Sequence, residues 1–169
     1  MMPGIAIVTD TTVTALPAAP LHAFEIWSNP PAVADRFKTA MGSALPAIGQ
    51  SLKLPAMQLI RFEPTVWLVE GDIAGLAEVL GTDGSLTAIG GGVVRVRLTG
   101  PGWRSLLMEG GVFDAESAAF TTGCSSTTLI DHVNVRLLVE GEDSCLAYVP
   151  LSYAHDMEHF WQVAARTLP

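Results

Sequence analysis

Two stretches of strict alternation constrain this chain most. Val94, Val96 and Leu98 alternate with Arg95, Arg97 and Thr99, and Val133, Val135, Leu137 and Val139 alternate with His132, Asn134, Arg136 and Leu138. Successive side chains of a strand point to opposite faces, so each stretch predicts a strand with one buried face. Met57 to Phe62 and Val66 to Val69 predict a hairpin around Glu63-Pro64-Thr65, and Leu137 to Tyr148 predicts another around Glu140-Gly141-Glu142-Asp143. Gly4 to Val8, Leu21 to Trp27, Ser85 to Ile89 and Ser125 to Ile130 carry weaker strand signals.

Helical spacing fills the segments between. After Ser28 and Asn29, Pro31 suits a first helical position, and Val33, Phe37, Ala40 and Met41 share a face before Gly42 ends the run. Asp72 is placed to cap a second helix with Ile73, Leu76, Ala77 and Leu80 inward and Gly81 as its stop. Pro101 opens a third, with Trp103, Leu106 and Leu107 inward and Gly110 at its end. Ser152 is placed to cap a fourth, with Tyr153, Met157, Phe160, Trp161 and Ala164 as its apolar stripe. The segment Ser43 to Pro55, which holds Pro46 and Pro55, reads as the longest irregular stretch.

In chain order these signals give two strands, a helix, three strands and a helix, and from Ser85 onward the same order again. The expectation is an α+β fold built from a duplicated two-layer strand/helix unit, one domain over 1–169 with subdomains of about 1–84 and 85–169. The repetition is one of elements, not of letters. A chain of 169 residues has room for a sizeable core without disulfides or a metal. Cys124 and Cys145, both inside strand-like apolar stretches, read as reduced, packed thiols.

Charge and hydropathy exclude several classes of partner. A formal net charge of −8, from 9 basic and 17 acidic residues, repels phosphate backbones and anionic lipid. No apolar run approaches the roughly 20 residues that span a bilayer. Met1 to Asp10 lacks a basic region leading into a long apolar one, so the expected location is the cytoplasm. The chain is 49% hydrophobic but only 15% charged, against a usual charged share of about 25%. That shortage predicts a surface partly covered by a partner.

Each candidate motif has a bland explanation that fits better. His155-Asp156-Met157-Glu158-His159 matches an inverted zinc-peptidase signature. On a helix, however, His155 and His159 fall opposite the apolar stripe, and no acidic residue follows His159 to serve as a third ligand. Gly90-Gly91-Gly92 is followed by a strand, not by the helix a phosphate loop needs, and reads as a tight turn. Gly100-Pro101-Gly102 reads as helix capping. Gly123-Cys124-Ser125-Ser126-Thr127 lacks the closing glycine of a nucleophile elbow. Trp27, Trp67, Trp103 and Trp161 sit in periodic apolar elements and read as core. The expectation is therefore no catalytic, cofactor-binding or metal-binding residue in this chain.

An ordered set of segments resembles the gamma subunit of heterotetrameric sarcosine oxidase, a family related to the folate-binding domains of the glycine-cleavage T-protein. The set comprises Ala44-Leu45-Pro46, Phe62-Glu63-Pro64-Thr65-Val66-Trp67-Leu68-Val69, Leu98-Thr99-Gly100-Pro101 leading into Trp103-Arg104-Ser105-Leu106-Leu107, Gly123 with Thr127-Thr128-Leu129, and Val149-Pro150-Leu151-Ser152-Tyr153-Ala154 running toward Trp161. It covers about residues 30 to 165. Where that family carries an Asp-Val-Ser segment followed by Arg, this chain reads Ala88-Ile89-Gly90-Gly91-Gly92-Val93.

The resemblance implies a folate-binding-domain-like fold and a noncatalytic structural subunit without cofactors of its own. It implies larger flavoprotein subunits as partners, holding FAD, FMN, NAD and tetrahydrofolate and oxidatively demethylating an N-methyl amino acid in one-carbon metabolism. The alternative is a stand-alone folate-binding or T-protein-like one-carbon module.

Overall fold

The structure is a computed structural model that describes residues 11–168. The strand expected at Gly4 to Val8 lies outside the described residues. The first half contains β1 (Thr12–Ala15), β2 (Leu21–Ile26), α1 (Pro30–Met41), β3 (Ser51–Lys53), β4 (Met57–Arg61), β5 (Val66–Gly71) and α2 (Leu76–Leu80). The second contains β6 (Gly84–Ala88), β7 (Val93–Thr99), α3 (Trp103–Met108), β8 (Ser125–Ile130), β9 (Val133–Gly141), β10 (Ser144–Pro150) and α4 (Leu151–Thr167). The strands form two antiparallel five-stranded sheets, ordered β3-β4-β5-β2-β6 and β1-β7-β10-β9-β8. Each sheet thus takes one edge strand from the other half of the chain, β6 in the first and β1 in the second.

Alternation decides which residues face which layer. The even-numbered apolar residues Val96 and Leu98 of β7 join Val133, Val135, Leu137 and Val139 of β9 beneath α3 and α4. Phe24, Leu59, Trp67 and Val69 pack beneath α1 and α2. Contrary to the one-faced reading, the opposite faces are also buried where the sheets meet. There Leu138, Leu146 and Tyr148 pack on Leu21, Ile60 and Leu68. Leu138, which the alternation assigned to the polar face, is 1% exposed.

The helices follow the spacing with local departures. α1 starts at Pro30, with a proline in its first turn and Gly42 at φ 75 closing it. Val33 and Phe37 are buried, but Ala40 is exposed. α2 is a five-residue helix with Gly75 at its N-cap. Asp72 accepts from the Ala74 backbone in a turn before the helix, so it is not the cap. Val79 is buried where the expected Ala77 is exposed, because Leu76, Val79 and Leu80 form the face that packs with Val33 and Phe37 of α1. α4 begins at Leu151 after Pro150, which places Ser152 inside the helix and not at its cap. Its buried line is Ala154, Met157 and Trp161. Tyr153 is exposed and Phe160 half-buried, because the sheet lies on the Ala154 side of the helix.

One loop also differs from expectation. Ser43 to Pro55 contains β3, and the longer irregular run lies between α3 and β8. That run is tied down by aromatic contacts. Phe120 lies edge-on to Phe113, with ring centroids 4.9 Å apart, and packs on Trp103 of α3 with ring centroids 6.2 Å apart. As expected, Gly90–Gly92 is a tight turn, of 3-10 form, and it carries the chain from β6 in one sheet to β7 in the other. A Cβ on Gly90 would sit 2.8 Å from the Ala19 carbonyl oxygen, so the glycine permits that close crossing.

A hydrogen-bond pattern recurs in both halves at the seam. Gln50 N–H donates to Ala47 O (3.0 Å), as Cys124 N–H does to Thr121 O (2.9 Å). Arg61 N–H donates to Gln50 O (3.0 Å), as Val139 N–H does to Cys124 O (2.9 Å). The two copies clasp each other through Ser51 N–H to Gly123 O (3.0 Å) and Ser125 N–H to Gly49 O (2.9 Å). Both segments read Gly-x-Ser, Gly49-Gln50-Ser51 and Gly123-Cys124-Ser125.

Candidate functional site: the cleft between the sheets

The two sheets touch over a small apolar contact and diverge on one side of it. On the closed side, Tyr148 Oη donates to Glu70 Oε2 at 2.9 Å, and Arg95 pairs with the same carboxylate while donating to Pro17 O at 2.8 Å. Burial first, then the adjacent Glu70 carboxylate, raises the Tyr148 pKa above the ordinary phenol range. Tyr148 is therefore a fixed donor joining the sheets and not a proton acceptor. On the open side Arg136 reaches from β9 to Glu63 at 2.5 Å, its guanidinium 5.9 Å from the Phe62 ring centroid.

Around this pair lies a cleft of about 260 Å³ with Ala23, Glu25, Val66 and Ile89 on its walls. A second hollow of about 210 Å³, bordered by Gly92, Asn134 and Pro150, continues on the other side of Arg136. The cleft has an apolar floor and charged edges but no paired nucleophile and base. Of its two carboxylates, Glu63 is already engaged by Arg136, and the Tyr148 phenol that borders the second hollow is engaged by Glu70.

The motifs singled out from sequence lie elsewhere. His155 and His159 are exposed on α4, on the face opposite Met157. Among the described residues no group of three or more His, Cys, Asp or Glu side chains is placed to hold a metal ion. Gly100 and Gly102 flank the turn into α3, where Trp103 N–H donates to Gly100 O at 3.2 Å. Cys124 is half-buried, its thiol 3.3 Å from Ala119 O and 3.7 Å from Thr121 Oγ1. Cys145 is fully buried, and burial drives its thiol pKa upward, which makes it inert packing. Trp67, Trp103 and Trp161 are core residues, whereas Trp27 is 63% exposed at the end of β2. The alternation could not reveal this, because β2 ends at Ile26.

None of the cleft residues was singled out from the sequence. Their signal was charge at positions of strand alternation, namely Glu25 in β2 and Arg136 in β9, as for Glu70 in β5 and Arg95 in β7 of the neighbouring ion pair. Read alone, such residues mark a solvated face. Only the second sheet turns that face inward.

The sequence matches no protein-family model and no curated protein. Among solved structures, it is similar to a chain of the heterotetrameric sarcosine oxidase from Corynebacterium sp. U-96 in complex with pyrrole 2-carboxylate, with a TM-score of 0.81 and 18% identity over 95% of this chain and 86% of that one. The likeness establishes the fold. A second neighbour, glycine cleavage system aminomethyltransferase T from Bartonella henselae, gives a TM-score of 0.66 and 18% identity over 92% of this chain. The match spans 46% of the aminomethyltransferase chain, about half its length. The α+β architecture expected from the sequence is thus the architecture of both neighbours. Among the described residues no helix is long and apolar enough to cross a membrane.

Proposed function

We propose that this chain is a noncatalytic structural subunit, gamma-like, of a cytoplasmic, heteromeric, sarcosine-oxidase-like flavoenzyme that oxidatively demethylates an N-methyl amino acid. The observation that carries this reading is one of extent. The chain matches 86% of a sarcosine oxidase chain but only 46% of the aminomethyltransferase chain, so it corresponds to a near-whole subunit of the first and a part of the second. The engaged side chains of the cleft agree with a structural role. Larger flavoprotein subunits are then the partners, and FAD, FMN, NAD and tetrahydrofolate belong to them.

The same reading includes an internal duplication, with one domain over 1–169 and halves meeting near residues 84 and 85. The matched Gly-x-Ser clasps at Gly49 to Ser51 and Gly123 to Ser125 support it. So does the exchange of β1 and β6 between sheets, which leaves neither half with a complete sheet of its own strands.

Co-expression with flavoprotein subunits of this type tests the proposal. The expected result is a colourless, inactive chain when alone and co-elution with active flavoprotein when together. If the chain elutes as a clean monomer while the flavoproteins assemble fully active without it, the subunit reading is wrong. The stand-alone folate-binding or T-protein-like module then takes its place, a reading to which the 0.66 TM-score against the aminomethyltransferase lends support.

A further inference from the structure

Among the described residues, the edge strands β3 and β8 meet each other through the Gln50 and Cys124 bridge, whereas β6 and β1 end their sheets with no strand beyond them. The ladder decides which groups of β6 are left over. Ile89 N–H donates to Leu21 O (2.9 Å) and Trp27 N–H to Asp83 O (2.9 Å), and opposed residues of an antiparallel pair alternate between bonded and unbonded. With Ile26 opposite Gly84, Phe24 opposite Leu86 and His22 opposite Ala88, the backbone N–H and C=O groups of Gly84, Leu86 and Ala88 therefore point away from β2. Among the described residues nothing bonds the Leu86 or Ala88 amide. Open edges are usually blunted by a lysine, a proline or a bulge, and Gly84-Ser85-Leu86-Thr87-Ala88 has none of them.

The side chains of this edge fit a copy of the same strand. About a twofold axis at Leu86, antiparallel pairing sets Leu86 against the second copy's Leu86, Gly84 against its Ala88 and Ser85 against its Thr87, with the outward groups in bonded register. Leu86 is half-buried against the core beneath α1 and α2, so the pair continues that core across the axis. The hydroxyls of Ser85 and Thr87 pair on the other face. Charge points to the same occupant. A contact of a chain with itself sets like against like, and at a net charge of −8 it needs a neutral element, which β6 is. The other open edge is poorer: Leu16 N–H donates to Arg95 O (2.8 Å), so β1 turns only Val13 and Ala15 outward before Pro17 ends it.

We propose that β6 is a self-association edge, through which two copies of this chain join their β3-β4-β5-β2-β6 sheets into one continuous antiparallel sheet. An edge of five residues makes this a small contact that depends on concentration. It belongs to the chain alone and goes beyond the subunit reading without depending on it.

Sedimentation equilibrium and amide hydrogen exchange of the full chain, each across a range of concentrations, test the proposal. The expected result is a monomer–dimer equilibrium in which exchange at Leu86 and Ala88 slows at least about tenfold between dilute and concentrated protein, while Ser85 and Thr87, already bonded to β2, change little. Ala88→Pro removes only an outward N–H, so it should leave the fold intact and raise the dimer Kd at least about tenfold, whereas Ala15→Pro on the β1 edge leaves that Kd unaltered. A chain that stays monomeric at about 1 mM, or a dimer indifferent to Ala88→Pro, overturns the proposal. Should Ala88→Pro fail to fold, exchange in the native chain decides: protection of Leu86 and Ala88 that does not vary with concentration overturns it. Protection that appears only when flavoprotein subunits are added also overturns it and gives the edge to a partner's strand.

Discussion

Gln50 and Cys124 pair with each other as an antiparallel bridge, each lying between a left-handed glycine and a serine. Gly49 and Gly123, at φ 74 and 86, let each segment turn so that its serine N–H reaches the opposite glycine carbonyl. The bridge joins β3 of one sheet to β8 of the other, at the edges where unpaired backbone groups would otherwise face solvent. It therefore ties the two halves together through backbone atoms, which explains how the pattern persists with such different central residues.

Glycine positions should divide sharply on substitution. A Cβ on Gly84 would lie 2.0 Å from the Glu25 carbonyl oxygen, whereas one on Gly91 meets nothing within 4 Å. Gly84→Ala is expected to destabilise by about 1 to 3 kcal/mol through overpacking, and Gly91→Ala to stay within about 0.5 kcal/mol of the native chain. Urea unfolding of both variants measures the contrast, and equal midpoints would refute the close approach of β6 to β2.

The tryptophans should divide in the same way. Trp103 and Trp161 are 1% and 0% exposed, and each is expected to cost about 3 to 5 kcal/mol when truncated to Ala. Trp27→Ala should cost less than about 1 kcal/mol, since its ring is mostly in water and its one hydrogen bond is exposed. Thermal melts of the three variants decide whether Trp27 is a surface residue.

Asp83 should carry a measurable part of the acid sensitivity. The Arg36 hydrogen bond first, then those from Asn29 and Ser28, lower its pKa from 3.8 to about 2. A carboxylate depressed on folding stabilises fully above its unfolded pKa, and that contribution fades as pH falls from about 4 toward 2. Asp83→Asn should therefore be less stable than the native chain at pH 7 and lose less stability between pH 4 and 2. Denaturation curves across that window that remain parallel for the two proteins would contradict the assignment.

His155 and His159 should hold no stoichiometric zinc. Both are exposed on α4, and a tight structural site needs four ligands closing around the ion. Metal analysis of purified protein is expected to find less than about one zinc per ten chains. A tightly held ion lost in His159→Ala would reverse that expectation.

Sequence alone determined the elements whose signal is local. Alternation located β7 and β9, turn residues placed the two hairpins, and the glycine after Met41 marked where α1 stops, because each depends on neighbours within a few residues. It also placed Val33, Phe37, Trp103, Leu106 and Leu107 inside, since one helix face meets one core. Tertiary structure decided what alternation leaves open, namely whether the second face of a sheet meets water or another sheet. Leu138 became core, and Glu25, Glu63 and Arg136 became walls of a cleft, only when β9 and β5 were brought face to face across the contact of Leu138 and Tyr148 with Ile60 and Leu68. The same distant packing set the faces of α2 and α4, and it put Trp27 in solvent, because a side chain's burial depends on which surface the fold lays against it.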